Sequence, residues 1–223
     1  MKTLYDKHGM IHLNAGCLPK DYLGADVNPS FTELTSWESV DRSDLEAIID
    51  EKKSDGVSIT LSDSVSGKYF LSDDNGKNAL IDRLDKVIRW ATELGLYIIL
   101  RLGGIGALCD SDCGKLNDAY KKDILRLIKY LSRKYSSYGN LMTAIAVIPL
   151  GAGNISESVT LKVAQMEFMR DYLTEASKLY RQNHPYGLLL TEGRIFTNEE
   201  LRKIDKQMRM YLFLRYRHYD RHY

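Results

Sequence analysis

What this chain lacks narrows its class before any motif is read. It has three cysteines in 223 residues, too few for a disulfide framework. Cys109 and Cys113 bracket Asp110 and Asp112, but the four-ligand spacing of a zinc site is missing, so no metal is expected. Neither sign of charge dominates: 31 Lys and Arg face 30 Asp and Glu, a net +1. That balance removes the electrostatic argument for nucleic acid or a membrane surface as partner. No run approaches the roughly 20 apolar residues of a membrane span. Met1–Asn14 is polar, without the apolar core of a signal peptide, which favours a cytoplasmic location. The glycines of Leu102–Gly106 lack the G-x-G-x-x-G spacing of a dinucleotide site. There is no Ser/His/Asp order and no His-Glu-x-x-His helix, and no cofactor is expected.

What is there is organised around Ala79–Asp110. Leu80, Leu84, Val87, Ile88, Ala91 and Leu94 recur every three or four residues, the pattern of an amphipathic helix. Gly95 ends it, because glycine takes the left-handed C-cap geometry without a steric penalty. Leu96–Leu102 is apolar almost throughout, as a parallel strand covered on both faces must be. A glycine-rich loop follows, at the strand end where chemistry sits in such sheets.

The same unit recurs along the chain. Met1–Met10 predicts a short hairpin with KHG as its turn, and Ile11–Gly16 a first strand. Cys17–Val40 reads as a long loop with Pro19 and Pro29. Ser43 and Glu46 form a capping-box pattern for a helix to about Lys53, and Val57–Leu61 is a second strand. Asn117–Ser136 predicts a helix and Met142–Leu150 a fourth strand. Ser158–Gln182 predicts a helix with Phe168, Tyr172, Ala176 and Leu179 on its core face. Tyr186–Leu190 is a fifth strand, Thr197 and Glu200 cap a short helix, and Met210–Tyr216 is a sixth strand. Strands alternating with helices predict an α/β fold, a TIM-type barrel over residues 1–223 as one domain. About six βα units are visible where a closed barrel has eight, so the barrel is incomplete. The first and sixth strands would keep unpaired edges, which predicts cover from the N-terminal hairpin, a second copy or a partner chain.

From GLYIILRLGG onward the sequence resembles the clan of retaining glycoside hydrolases on this barrel, both its cellulase/mannanase-like and its β-galactosidase-like families. Arg89-Trp90, Glu93 and Gly95–Leu102 match a helix ending RW-x-x-E-x-G-L that runs into a third strand. Arg101 stands as in the galactosidase version. Asp44–Leu61, Lys129–Val147, Phe168–Gly193 and Tyr211–Tyr219 resemble successive later or earlier units of the same families. The resemblance implies a protein related to enzymes cleaving β-glycosidic bonds, with carbohydrate as its partner. It departs at one decisive place. AIAVIPLGAGN puts Gly151 and Ala152 where the families carry an Asn-Glu pair, and the nucleophilic glutamate of strand seven falls beyond Tyr223. Two carboxyls about 5 Å apart are needed for retaining hydrolysis. Two expectations follow: a catalytically impaired glycoside-hydrolase-like protein, or a non-catalytic carbohydrate-binding or interaction subunit.

Several residues are candidates for the site. Glu192 sits at a strand's C-terminal end, as an acid or sugar ligand or as a rim glutamate paired with Arg194. Asp63 follows the second strand, as a sugar ligand or a loop cap. Arg101 lies in an apolar strand, where an unpaired charge is costly. It is expected to find Asp63 or Asp110, either as a structural ion pair or while binding ligand. His218 and Tyr219 fall where the families place substrate contacts after strand six; a frayed basic terminus is the plain alternative. The same residue types suit single-stranded nucleic acid, which the neutral remainder of the chain argues against. Trp37, in the first loop, is a candidate stacking platform, whereas Trp90 borders an apolar helix face and is expected to pack.

Overall fold

The structure, a computed structural model, describes residues 31–34, 36–50, 54, 56–61, 78–109, 115–147, 163–185, 187–192, 196–206, 208–211 and 216–218. Its elements run β1 Phe31–Glu33, α1 Arg42–Asp50, β2 Gly56–Thr60, α2 Ala79–Glu93, β3 Tyr97–Arg101, α3 Ile105–Leu108, α4 Asp118–Lys134, β4 Leu141–Ala146, α5 Val163–Arg181, β5 Leu189–Glu192, α6 Asn198–Ile204, β6 Met208–Tyr211 and β7 Tyr216–His218. All strand pairs are parallel, in the order β6-β5-β4-β3-β2-β1-β7. Among the described residues this is a TIM-type α/β fold of seven parallel strands, where a full barrel has eight.

The sheet is curled, and chain length shows why. Laid flat, the outer two of seven strands would stand about 29 Å apart at the usual spacing. Tyr211 ends one of them and Tyr216 begins the other, and so short a connection reaches at most about 18 Å. The two ends of the sheet must therefore approach each other. Register agrees: through the sheet Met208 lies level with Leu189 and Thr143, whereas the residue level with Glu33 is His218. The last stretch climbs as it passes from one edge to the other, the stagger of a closing barrel.

Strand alternation sorts the residues into two layers. Leu34, Val57, Ile59, Ile98, Leu100, Ile145 and Leu189 pack with α1, α2, α4 and α5 in one continuous core. Phe31, Tyr97, Ile99, Met142, Ala144 and Leu190 are equally buried but stand outside that core; they fill the barrel. Gly56 makes room there, since a Cβ would stand 2.6 Å from the Phe31 ring.

The helices start and stop on local chemistry. The Asn78 side chain accepts from Leu80 N at 3.0 Å and Ile81 N at 3.2 Å, satisfying two otherwise orphaned donors of α2. Gly95, at φ 76°, ends that helix, and Asn117 caps α4. Thr197 and Glu200 form the expected capping box of α6. The box of α1 differs from expectation. Asp41 N donates to Asp44 Oδ2 at 2.8 Å, and Asp44 N donates back to Asp41 Oδ1 at 3.2 Å, so Asp41 and Asp44 cap the helix in place of Ser43 and Glu46. On α5 the buried face is Met169, Tyr172, Leu173, Ala176 and Tyr180, turned slightly from the predicted one, and Phe168 and Leu179 are half-buried.

Three larger corrections concern the ends of the sheet. The strand beside β2 is Phe31–Glu33, inside the stretch expected to be loop; the predicted strand Ile11–Gly16 and the hairpin lie outside the described residues. The predicted sixth strand divides, β6 pairing with β5 and β7 with β1. The β1 edge expected to be open is thus occupied by β7. Among the described residues no helix is long and apolar enough to cross a membrane.

Candidate functional site

In a parallel barrel the strands' C-terminal ends converge on one mouth. Beneath that mouth three adjacent strands bring polar side chains together. Glu33 ends β1, Thr60 ends β2 and Arg101 ends β3, and the three belong to the barrel-facing layer. Arg101 Nη1 stands 3.3 Å from both Glu33 oxygens. Thr60 Oγ1 accepts from Arg101 Nη1 at 2.7 Å and donates to Glu33 Oε1 at 2.7 Å, so one hydroxyl serves cation and anion together. Arg101 is 1% exposed and Glu33 0%.

Physical chemistry dictates this arrangement once the register is set. A charge taken out of water costs several kcal/mol unless it is paired and hydrogen-bonded. Arg101 was expected to meet Asp63 or Asp110, both outside the described residues; it meets Glu33 here. Glu33 was missed because it stands in the stretch read as loop. A signal was present: a lone acid behind the apolar-and-threonine run Phe31-Thr32 suits a strand end as well as a loop. Arg101 reaches both Glu33 oxygens and Thr60 bridges the pair, so the Glu33 carboxylate is fixed in place.

The end of β4 is different in kind. Met142 and Ala144 face the barrel, and the register against β5 then slips between Ala144 and Ala146. This bulge turns Ala146 into the helix-facing core beside Ile145. The Tyr172 hydroxyl donates to Ile145 O, satisfying a carbonyl at the irregularity. Gly103, at φ 69°, permits that approach, because a Cβ there would collide with the hydroxyl and with Ile145 O. Burial raises the Tyr172 pKa well above the usual phenolic value, so the phenol remains a neutral donor. The described residues that close β4, Ala144 through Val147, carry no group that titrates.

The remaining predicted residues fall as follows. Glu192 is the last residue of β5, level with Tyr211 of β6. His218 is the last residue of β7, level with Glu33. Asp63 and Tyr219 lie outside the described residues, as does Arg194. Trp37, expected as an exposed platform, is 3% exposed and belongs to the core. The cause is Arg83, whose guanidinium donates to Glu38 O at 2.7 Å and to Val40 O, folding the Ser36–Ser39 turn onto α2. Trp90 is half-buried with the Arg83 guanidinium 5.4 Å from its ring. Among the described residues no cluster of His, Cys, Asp and Glu is arranged to hold a metal ion.

Comparison with known proteins places the fold. No protein-family model matches the sequence, and no curated protein matches it. Solved structures do. Thermotoga maritima Cel5A in complex with cellobiose matches with a TM-score of 0.57 and 17% identity, over 82% of this chain and 62% of that one. A broad-specificity endoglucanase from Clostridium acetobutylicum matches at 0.58 and 12%, over 82% and 62%. The cellulose synthase subunit Z of Clostridioides difficile matches at 0.57 and 17%, over 83% and 60%. The likeness is one of fold, that of glycoside hydrolase family 5 endoglucanases. The chain spans about three fifths of the length of these proteins.

Proposed function

We propose that this chain binds a β-linked oligosaccharide at the C-terminal mouth of its barrel, and that it does not perform the paired-carboxylate displacement of retaining glycosidases there. The fold shared with cellobiose-binding and endoglucanase barrels supports a sugar ligand. The observation that carries the second clause is the end of β4: Ala144, Ala146 and Val147 supply neither an acid nor a base, and Gly151 and Ala152 follow. The one described carboxylate beneath the mouth of β1–β3, Glu33, is committed to Arg101. A proton donor for a leaving oxygen and a nucleophile for the anomeric carbon must stand about 5–5.5 Å apart, and alanine and glycine can fill neither role.

In this reading Glu192 is a hydrogen-bond acceptor for sugar hydroxyls. It is the last residue of β5, at the strand end that borders the mouth. Asp63, His218 and Tyr219 are further sugar contacts in this reading. Arg101 acts through Glu33 and Thr60, holding the floor of the mouth.

Calorimetric titration with cello- and manno-oligosaccharides, alongside an aryl β-glycoside hydrolysis assay, tests this. The expected result is saturable binding without turnover, with Glu192→Gln weakening affinity about tenfold, the effect of one charge-assisted hydrogen bond. Turnover in the parent chain that vanishes in Glu192→Gln would establish an unorthodox hydrolase instead. Absence of binding to any of these sugars would leave an interaction subunit as the better description.

A further inference from the structure

The outward faces of the three long helices differ in sign pattern. On α2 the exposed charges are Asp82, Lys86, Arg89 and Glu93, and on α5 they are Glu167, Arg170, Asp171, Glu175 and Lys178. Both alternate acid with base, as solvated helix faces usually do. On α4, which lies between them, the exposed charges are Asp118 in the first turn and then Lys122, Arg126, Lys129, Arg133 and Lys134. The four from Lys122 to Arg133 fall at steps of four, three and four, one line along one side of the helix. None of these four has an ion pair among the described residues; the nearby acids are engaged elsewhere, Glu175 with Lys121 at 3.1 Å and Asp85 with Lys134 at 2.9 Å. Asp118 and Asp123 are the helix's own acids, and neither pairs with the line.

Like charges at these spacings destabilise a helix, so the line is kept against a local cost. Beside it stands Tyr130, 38% exposed. The geometry is one-dimensional: a row roughly 16 Å long with cations about 4.5–6 Å apart along the axis, flanked on both sides by faces of mixed sign. From this we infer that the outer face of α4 docks a linear acidic polysaccharide, whose uronate carboxylates or sulfates pair with Lys122, Arg126, Lys129 and Arg133 while a sugar ring rests on Tyr130.

Other polyanions fit less well. A bilayer would call for an apolar face lying beside the basic one, and Ile124, Leu127, Ile128 and Leu131 are buried in the core. Duplex nucleic acid carries a charge about every 1.7 Å, and a chain with 30 acids and a net +1 repels it beyond this one strip. Single strands are held by a succession of stacking aromatics, and on α4 Tyr130 is the only exposed one.

The face lies on the outside of the barrel, away from the mouth, so the two readings stand or fall separately. The test compares the parent chain with a Lys122→Gln, Arg126→Gln, Lys129→Gln, Arg133→Gln variant and with one exchanging Lys and Arg at the same positions. Probes are polygalacturonate, dextran sulfate, neutral dextran, poly(U) and phosphatidylserine vesicles, at 50 and 200 mM salt. The expected result is salt-sensitive binding to an acidic polysaccharide and none to dextran. The glutamine variant should bind at least tenfold more weakly and the exchanged variant should bind normally, both melting no lower than the parent. Polygalacturonate against dextran sulfate identifies the anionic group. Any binding of neutral oligosaccharide at the mouth should be unchanged in the glutamine variant. No binding to either acidic polymer, undiminished binding by the glutamine variant, or tighter binding to poly(U) or vesicles would each overturn the assignment.

Discussion

Two arginine–carboxylate pairs mark opposite ends of the barrel, and they are built differently. At the mouth Arg101 meets Glu33 through one nitrogen at 3.3 Å, with both residues essentially out of water. At the opposite end Arg181 grips Asp205 with two nitrogens, Nε at 2.6 Å and Nη2 at 2.8 Å. Its third nitrogen donates to the carbonyls of His184 and Gly187 at 3.0 and 2.5 Å, and Ser177 adds a hydrogen bond to Asp205. The lower pair is a clamp with water at hand, its side chains 20% and 7% exposed. It ties the end of α5 to the turn before β5 and to the end of α6. The upper pair is dry, longer and bridged by a threonine. The multiply bonded clamp thus stands at the bottom of the barrel and the dry charge pair at the top.

Removing one partner from each pair sharpens that contrast. Arg101→Met strands a buried carboxylate, and chemical denaturation should show a loss of about 3–5 kcal/mol. The double variant Arg101→Met, Glu33→Leu should recover most of it, because an apolar pair of similar volume removes the desolvation cost. A double variant no more stable than the single one would mean the pair is needed for the fold itself. Arg181→Ala should cost less, about 2 kcal/mol, because water can reach Asp205. If it proved the more damaging change, the contrast between the two ends would be reversed.

The smallest effect concerns pH. His184 is stacked on Tyr180, with ring centroids 5.1 Å apart, and its Nε2 lies 2.9 Å from Tyr135 O. A carbonyl only accepts, so Nε2 carries a proton. Burial lowers its pKa below the usual 6.5, with the nearby Arg181 adding to the effect and the hydrogen bond to Tyr135 opposing it. The unfolded chain therefore takes up the proton first, so stability is full above about pH 6.5 and falls as the pH drops toward the folded value. Melting curves from pH 8 to 5 should show this decline, and His184→Gln should lose that part of it. An identical slope in the variant would move the cause to other groups.

How far the chain could be read without coordinates depended on the range of the interaction involved. The periodicity of Ala79–Glu93, its stop at Gly95, the apolar run to Arg101 and the Thr197–Glu200 box are written in neighbouring residues. Each segment carries its own apolar face and its own caps, so helices, most strands and the parallel α/β class follow from local pattern. Small displacements, such as Asp41 and Asp44 capping α1, arise where two side chains compete for the same backbone donors a residue or two apart.

The polar arrangement beneath the mouth belongs to another range. Glu33 and Arg101 are 68 positions apart, and nothing near either residue names the other. They meet because Phe31–Glu33 pairs with one edge of β2 and β3 with the other, in registers that bring the three strand ends together. Closure of the sheet set β7 against β1 and divided the predicted last strand, while a separate long-range contact, Arg83 on the Ser36–Ser39 turn, buried Trp37. Residue spacing determined which segments became strands and helices. Only the side-by-side pairing of distant strands decided which charges would share the dry interior, because pairing energy there depends on distances that no single segment contains.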